Sequence, residues 1–418
     1  MSIETLDVVV VGAGAAGLIA ARELTRAGLG VRVVEARNRV GGRAWTDRES
    51  FGVPIDRGCA WLHAADRSPW TDHAREHGFA LVERSPDWKQ WIGRERVTPA
   101  LRDRLDASWG RAVETIAAAA QAGRDVPVST VLPVDLEFRP LFEAIVSWSM
   151  AVDTPNLSTV DFTNSEDYDV NWSVPAGLGT LVASVARGLD VVLDCPVTAI
   201  DWRGTGVRVQ TSRGTLECRA VVVTVPTPLL ARGEPRFLPG LPAEYQEAFE
   251  GLPLGVANKV FVEVEPGALP QGSLNLVASA ETARTVSVTV RPAGQELALV
   301  FFGGGYAREL EARGALEAIA RDELVALFGT GIRRSLRRST ATAWASDRWA
   351  RGSYSAARPG FAHCRPVLAR PVAERVFFAG DACTVDTFGE IRGCWFSAMA
   401  AAAGIIALRP RAAAAPAG

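Results

Sequence analysis

Gly12, Gly14 and Gly17 follow directly on Asp7 and four valines, Val8 to Val11, and a carboxylate, Glu35, stands 21 residues past Gly14. That spacing fits a dinucleotide. The first glycine permits a tight turn, the second lets a pyrophosphate approach the backbone, and the third lets a helix pack close to a strand. A carboxylate after the second strand accepts both ribose hydroxyls and favours a cofactor without a 2′-phosphate. Lys259 is the second residue of interest. It is one of only two lysines, with Lys89, among 45 basic residues, and it lies in an apolar run. A buried lysine loses its proton more readily than an exposed one. Arginine cannot replace it in that role.

These residues require a particular frame. A continuous valine run is a strand covered on both faces, as in a parallel sheet. Leu18 to Gly28 reads as a helix ended by glycine, and Val31 to Val34 as a second strand with Glu35 at its end. The helix N-terminus offers free N–H groups to the phosphates. The spacing predicts further helices over 69–77, 101–122 and 141–151. From Asp87 to about Val170 the composition turns helical, with tryptophans at 88, 91, 109 and 148. A helix from about Val174 to Gly188 returns the pattern to α/β. Strands follow at Val191–Leu193, Val197–Trp202, Val207–Gln210, Thr215–Cys218 and Ala220–Pro226. Leu274–Val277, Thr285–Val290 and Leu297–Phe302 read as more strands, followed by one helix from Gly303 to Phe328.

At 418 residues the chain is long enough for two domains. A net charge of −2 shows no nucleic-acid footprint. No run of about 20 uncharged apolar residues predicts a membrane span. The N-terminal apolar run is preceded by Glu4 and Asp7, not by the basic residues of a signal peptide. Six scattered cysteines fit a reducing, cytoplasmic setting. His73-x-x-Glu76-His77 matches a zinc-peptidase spacing, but no third ligand is placed nearby. The expectation is a solvated helix and no metal.

Later segments give the chain a family likeness. They are Glu35-Ala36-Arg37, Arg39-Val-Gly41-Gly42-Arg43, Asp56-x-Gly58-x-x-Trp61-Leu-His63, Trp344-x-x-Asp347 with Gly352-Ser353-Tyr354-Ser355, and Ala379-Gly380-Asp381 before Gly389-Glu390-Ile391. In this order they resemble the flavin-containing amine oxidases, a family of monoamine, polyamine and L-amino-acid oxidases and flavin histone demethylases. The resemblance implies an α/β fold with a discontinuous Rossmann-type FAD-binding domain (1–85, 174–256 and 372–418). An α+β substrate domain would take 86–173 and 257–371. It implies non-covalent FAD, because Ser353 stands where some members carry the cysteine that bonds the flavin. The cofactor would meet Gly12, Gly14, Ala16, Gly17, Glu35, Ala36, Arg37, Gly42, Arg43, Val197, Gly380, Asp381, Glu390 and Ile391.

The resemblance also assigns the reaction centre. Lys259 would be linked by a water to flavin N5, and Tyr354 would form one wall of an aromatic cage. Glu390 departs from the family pattern, standing where monoamine oxidases carry the second cage tyrosine. With His63 and the acidic cluster Glu166-Asp167-Tyr168-Asp169, it points toward a diamine or polyamine. The implied reaction takes a hydride equivalent from the amine to the flavin. The imine left behind hydrolyses to a carbonyl, and O2 is reduced to H2O2. The expected partners are a small-molecule amine and O2, with neither nucleic acid nor membrane, in a monomer or homodimer. Other readings stay open: an L-amino-acid oxidase using Arg392 or Arg351 for the carboxylate, a flavin dehydrogenase, or a non-catalytic flavoprotein binding module.

Overall fold

In the computed structural model the described residues are 6–85, 87, 90–165 and 170–408. They form two large sheets and two short two-stranded ones, with helices around them. Lys89 and the 166–169 acidic cluster lie outside the described residues. The first sheet has eight strands. Leu6–Val11 pairs in parallel with Val31–Val34 on one side and with Gly214–Val223 on the other. Val376–Phe378 pairs with Gly214–Val223 as well. The sequence separates Thr215–Cys218 from Ala220–Pro226, but one unbroken strand, Gly214–Val223, joins them and ends three residues before Pro226. Arg219, between them, points to solvent and bonds Asp7. Its polarity marks an exposed face, not a chain break.

Helix Ala15–Arg26 lies on this sheet against helix Ile391–Ala407, so the two ends of the chain share one core. Ala357, Ala362, Cys364 and Leu368 pack on the opposite face with Val9 and Val221. Residues near 357–368, expected in the substrate domain, therefore help to bury the cofactor sheet.

The second sheet has seven strands. Its longest strand, Ala257–Val264, lies next to one edge, between Leu297–Gly303 and the edge strand Leu336–Ala341. Behind it the expected single helix is two, Gly304–Ala312 and Leu316–Phe328. Gly314, at φ +62°, breaks the run. Helices Pro99–Gln121 and Arg139–Met150 form the helical insertion. Helix Pro69–Glu76 is less solvated than expected. His73 is only 3% exposed, packs against Trp70 and Trp395, and bonds Ser184 through Nε2. The ligand atoms of His73, Glu76 and His77 lie within 4.8 Å of one another, and Arg22, Arg26 and Arg187 add positive charge around His73.

A buried ion pair ties the insertion to the cofactor side. Arg365 and Asp161 are each 1% exposed and joined at 2.6 and 2.8 Å. The guanidinium also lies 3.6 Å from the Phe388 ring centroid and donates to Ser355 Oγ. Removing one partner leaves an uncompensated buried charge. Asp161→Ala is therefore expected to destabilise the fold by about 3–5 kcal/mol. A thermal melt within a degree or two of the parent would refute that.

Candidate active site

One cavity of about 1750 Å³ runs from the first sheet to the second. Its cofactor half begins at the glycine turn. Gly12 has φ +103°, a conformation that side chains disfavour. A Cβ on Gly17 would sit 1.9 Å from the Gly12 carbonyl oxygen, so only glycine lets this helix start against the strand. Glu35 is 6% exposed and is aimed by two backbone N–H groups, from Ala13 (2.7 Å) and Arg37 (2.8 Å). It lines the cavity beside Gly14, Ala16, Ala36 and Val197.

Two arginines expected at the cofactor are held by carboxylates. Arg37 makes a two-pronged pair with Asp347 (2.6 and 3.0 Å), which explains the Trp344-x-x-Asp347 spacing. Arg43 grips Asp381 the same way (2.6 and 3.2 Å) and donates to the Ser353 carbonyl. Burial pushes Asp381 up. The Arg43 guanidinium and the Ser355 N–H outweigh it and hold the carboxyl below its usual range. Asp381 thus works first as a brace that joins Arg43, Ser355 and the Gly380 turn. Gly42 (φ +58°) approaches Gly14 closely; a Cβ there would stand 3.2 Å from the Gly14 Cα. At the far end of the cradle, helix Ile391–Ala407 starts with Glu390 as its N-cap and no side-chain cap. Glu390 and Ile391, where the helix begins, line the cavity. Such a terminus stabilises negative charge.

These features fit FAD. Glycine turns give room for a pyrophosphate, a backbone-aimed carboxylate suits a ribose, and an open helix N-terminus suits an electron-rich ring. Ser353 offers no thiol. Its hydroxyl instead donates to the Ala257 carbonyl (2.9 Å) and accepts from the Ala257 N–H (2.8 Å).

A family model for flavin-containing amine oxidoreductases matches residues 15–136 and 125–406. The chain belongs to that family. Like its relatives, this amine oxidoreductase uses FAD, held non-covalently, and acts on CH–NH or CH–NH2 groups. It is 28% identical to polyamine oxidase 4 of Oryza sativa subsp. japonica, over 95% of this chain and 88% of that one. It is 24% identical to human lysine-specific histone demethylase 2, over 96% of this chain and 53% of that one. Among solved structures it is similar to a putrescine oxidase bound to putrescine (TM-score 0.80, 22% identity). It is also similar to cyclohexylamine oxidase from Brevibacterium oxydans IH-35A (TM-score 0.78, 21% identity). Each match covers 96% of this chain and 99% of the other, and each shows a shared fold.

The remaining residues expected at the reaction centre, Lys259, Tyr354, Glu390 and His63, line the same cavity. Lys259 is 9% exposed, and its Nζ donates to the carbonyls of Asp56 (2.9 Å) and Gly58 (2.5 Å). Burial lowers its pKa, with the Asp56 carboxylate opposing. Asp56 itself accepts from Thr46 and from the Leu178 and Gly179 N–H groups. In the sequence Asp56 is marked only by its place in the Asp56-x-Gly58-x-x-Trp61 segment. Tyr354 donates its hydroxyl to the Trp148 carbonyl, and burial raises its pKa, so it stays a phenol. Gly389 is beside it, since a Cβ there would lie 3.7 Å from the Tyr354 ring, and Glu390, the next residue, lines the same cavity. Glu390 also accepts from Arg392 at 3.2 Å.

His63 lines the same space and bonds Asn171 Oδ1 through Nδ1 at 2.5 Å. A carbonyl oxygen only accepts, so the proton is on Nδ1. Burial, with a small push from Arg392 and against the Asn171 bond, lowers its pKa to about 4. His73 is lowered to about 4 by burial and its cationic neighbours. Above the ordinary histidine value of 6.5, both rings are neutral folded or unfolded. Between pH 6.5 and 4 the unfolded chain takes up protons that the fold refuses, so stability falls through that window. The melting temperature should drop between pH 7 and 4.5, and less steeply in His63→Gln. Identical profiles would show that His63 is not held neutral.

Among the described residues no helix is long and apolar enough to cross a membrane.

Proposed function

We propose that this amine oxidoreductase oxidises a diamine or polyamine, with O2 as electron acceptor and H2O2 as product. The observation that carries the substrate reading is Glu390. It puts a carboxylate in the wall of the cavity that Tyr354 also lines, where an aromatic pair would otherwise favour a simple monoamine. An ammonium next to a buried carboxylate gains a charge-assisted hydrogen bond. The polyamine oxidases and the putrescine-bound oxidase similar to this chain support the same class. The amino-acid alternative is less well served. Neither Arg351 nor Arg392 is among the side chains lining the cavity.

FAD, when bound, supplies the two-electron acceptor for the substrate's α C–H bond. The chain does the rest. Tyr354 packs a ring against the reacting amine, and the apolar wall of Phe388 and Phe142 excludes water. Lys259, held by two carbonyls, sits where it can steer a water and its proton. Glu390 draws the second nitrogen.

The test is an absorbance titration of the yellow protein without oxygen. Bleaching by putrescine or spermidine, restored by air with one peroxide per turnover, supports the proposal. Bleaching by amino acids alone would overturn it. Glu390→Gln should raise KM for a diamine roughly ten-fold or more, the scale of one charged hydrogen bond, with a smaller effect on a monoamine. Equal effects on both would remove Glu390 from substrate recognition.

A further inference from the structure

The second sheet presents one face to the cavity, and its strand register gives a scale. Lys259 pairs with Phe301, Phe301 with Ser287, and Ser287 with Val277. In the next row on the same face Phe261 pairs with Leu299, Leu299 with Thr289, and Thr289 with Asn275. All eight side chains line the cavity. The strands nearest the reaction centre are therefore apolar: Phe261, Phe301 and Leu299. The polar groups begin two strands away, roughly 10 Å from Lys259 at ~4.8 Å per strand.

Those polar groups are organised. Thr289 donates its hydroxyl proton to Asn275 Oδ1 at 2.9 Å. This aims the Asn275 amide and leaves its Nδ2 hydrogens and the Thr289 lone pairs for another partner. Among the described residues nothing bonds Asn275 Nδ2 or Ser287 Oγ. Asn275 is nonetheless 7% exposed, sheltered from bulk water. No carboxylate stands in either row. Of the carboxylates elsewhere in the cavity lining, Asp87 and Asp106 are exposed, and Asp87 is paired with Arg102. An ammonium arriving at Asn275 would lose hydration without gaining a counter-charge. A hydroxyl or amide would gain both a donor and acceptors.

We propose that Ser287, Thr289 and Asn275 form a distal subsite for an uncharged hydrogen-bonding group, so that this enzyme accepts chain-extended amines ending in a hydroxyl or amide. The inference rests on the amine-oxidase reading of the cavity and is separate from the role of Glu390 near the flavin. The reacting nitrogen lies at the Lys259 end, the alkyl chain crosses Phe301, and the far group reaches the Thr289–Asn275 pair.

The holoenzyme is assayed with n-alkylamines, ω-amino alcohols and α,ω-diamines matched in length from butyl to octyl. Beyond a threshold length the amino alcohol should exceed the alkylamine in kcat/KM on the order of five-fold, the scale of a neutral hydrogen bond. Thr289→Val and Asn275→Leu should collapse that ratio toward one. A ratio near one at every length in the parent enzyme overturns the subsite, and needs no variant to do so. A ratio that survives both substitutions overturns it too. If Thr289→Val instead erases a preference for long diamines, the subsite takes charge and the uncharged class is wrong. Failure of every amine to reduce the flavin would refute the amine-oxidase reading itself, a result distinct from all of these.

Discussion

A Gly17→Val chain is expected to purify without its yellow colour. The position has no room for a side chain, because an added Cβ would lie 1.9 Å from the Gly12 oxygen and 3.2 Å from Thr224 Oγ1. Thr224 is itself fixed, donating to the Val11 carbonyl at 2.9 Å. Nothing at the contact is a flexible side-chain end that can swing aside. The helix must move away from the strand, and its free N–H groups move with it. Overpacking a tight core costs about 1–3 kcal/mol. At the upper end that is more than a hundred-fold in cofactor affinity. The readouts are the ratio of flavin to protein absorbance and the dissociation constant for added FAD. Gly14→Ala is the contrast. A Cβ there meets nothing within 4 Å of protein, so any loss reports on the cofactor's own approach. Normal flavin content in Gly17→Val would refute the close-packed turn.

The second large effect belongs to Lys259. In Lys259→Met the FAD should remain, because the side chain braces the Asp56 and Gly58 carbonyls and makes no part of the glycine cradle. Flavin reduction or its reoxidation by O2 should slow by roughly 10²-fold, the low end for a positioned proton-handling group. Stopped-flow traces separate the two half-reactions. Unchanged rates in both would remove the lysine from the chemistry and leave it a structural brace. Lys259→Arg should not restore the rate. Its guanidinium cannot surrender a proton, and it is larger than the space beside two fixed carbonyls.

How much was legible in the sequence differs from one segment to the next. The glycine turn and Glu35 were readable because local backbone needs fixed their identities. No other residue type gives φ above zero and a close helix start at such spacing. The break at Gly314 was missed because the apolar period continues across it. The strand around Arg219 was split because a charged residue on an exposed face looks like a loop in one dimension. That Ala357, Ala362, Cys364 and Leu368 pack against the first sheet is not legible for a different reason: side-chain pattern records that a residue is buried, not against what.

The amino-acid sequence by itself therefore determined the fold class, the dinucleotide cradle and the rare lysine. Each depends on residues close in the chain or on an ordered set of motifs. The tertiary structure alone decided which groups are already engaged. Arg43 binds Asp381 across 338 positions, Arg37 binds Asp347 across 310, and Lys259 reaches Asp56 across 203. It also decided that Ser287, Thr289 and Asn275 share one cavity face with Lys259. Strand register sets that neighbourhood, and register follows from how two sheets and their helices pack together, which no local spacing encodes.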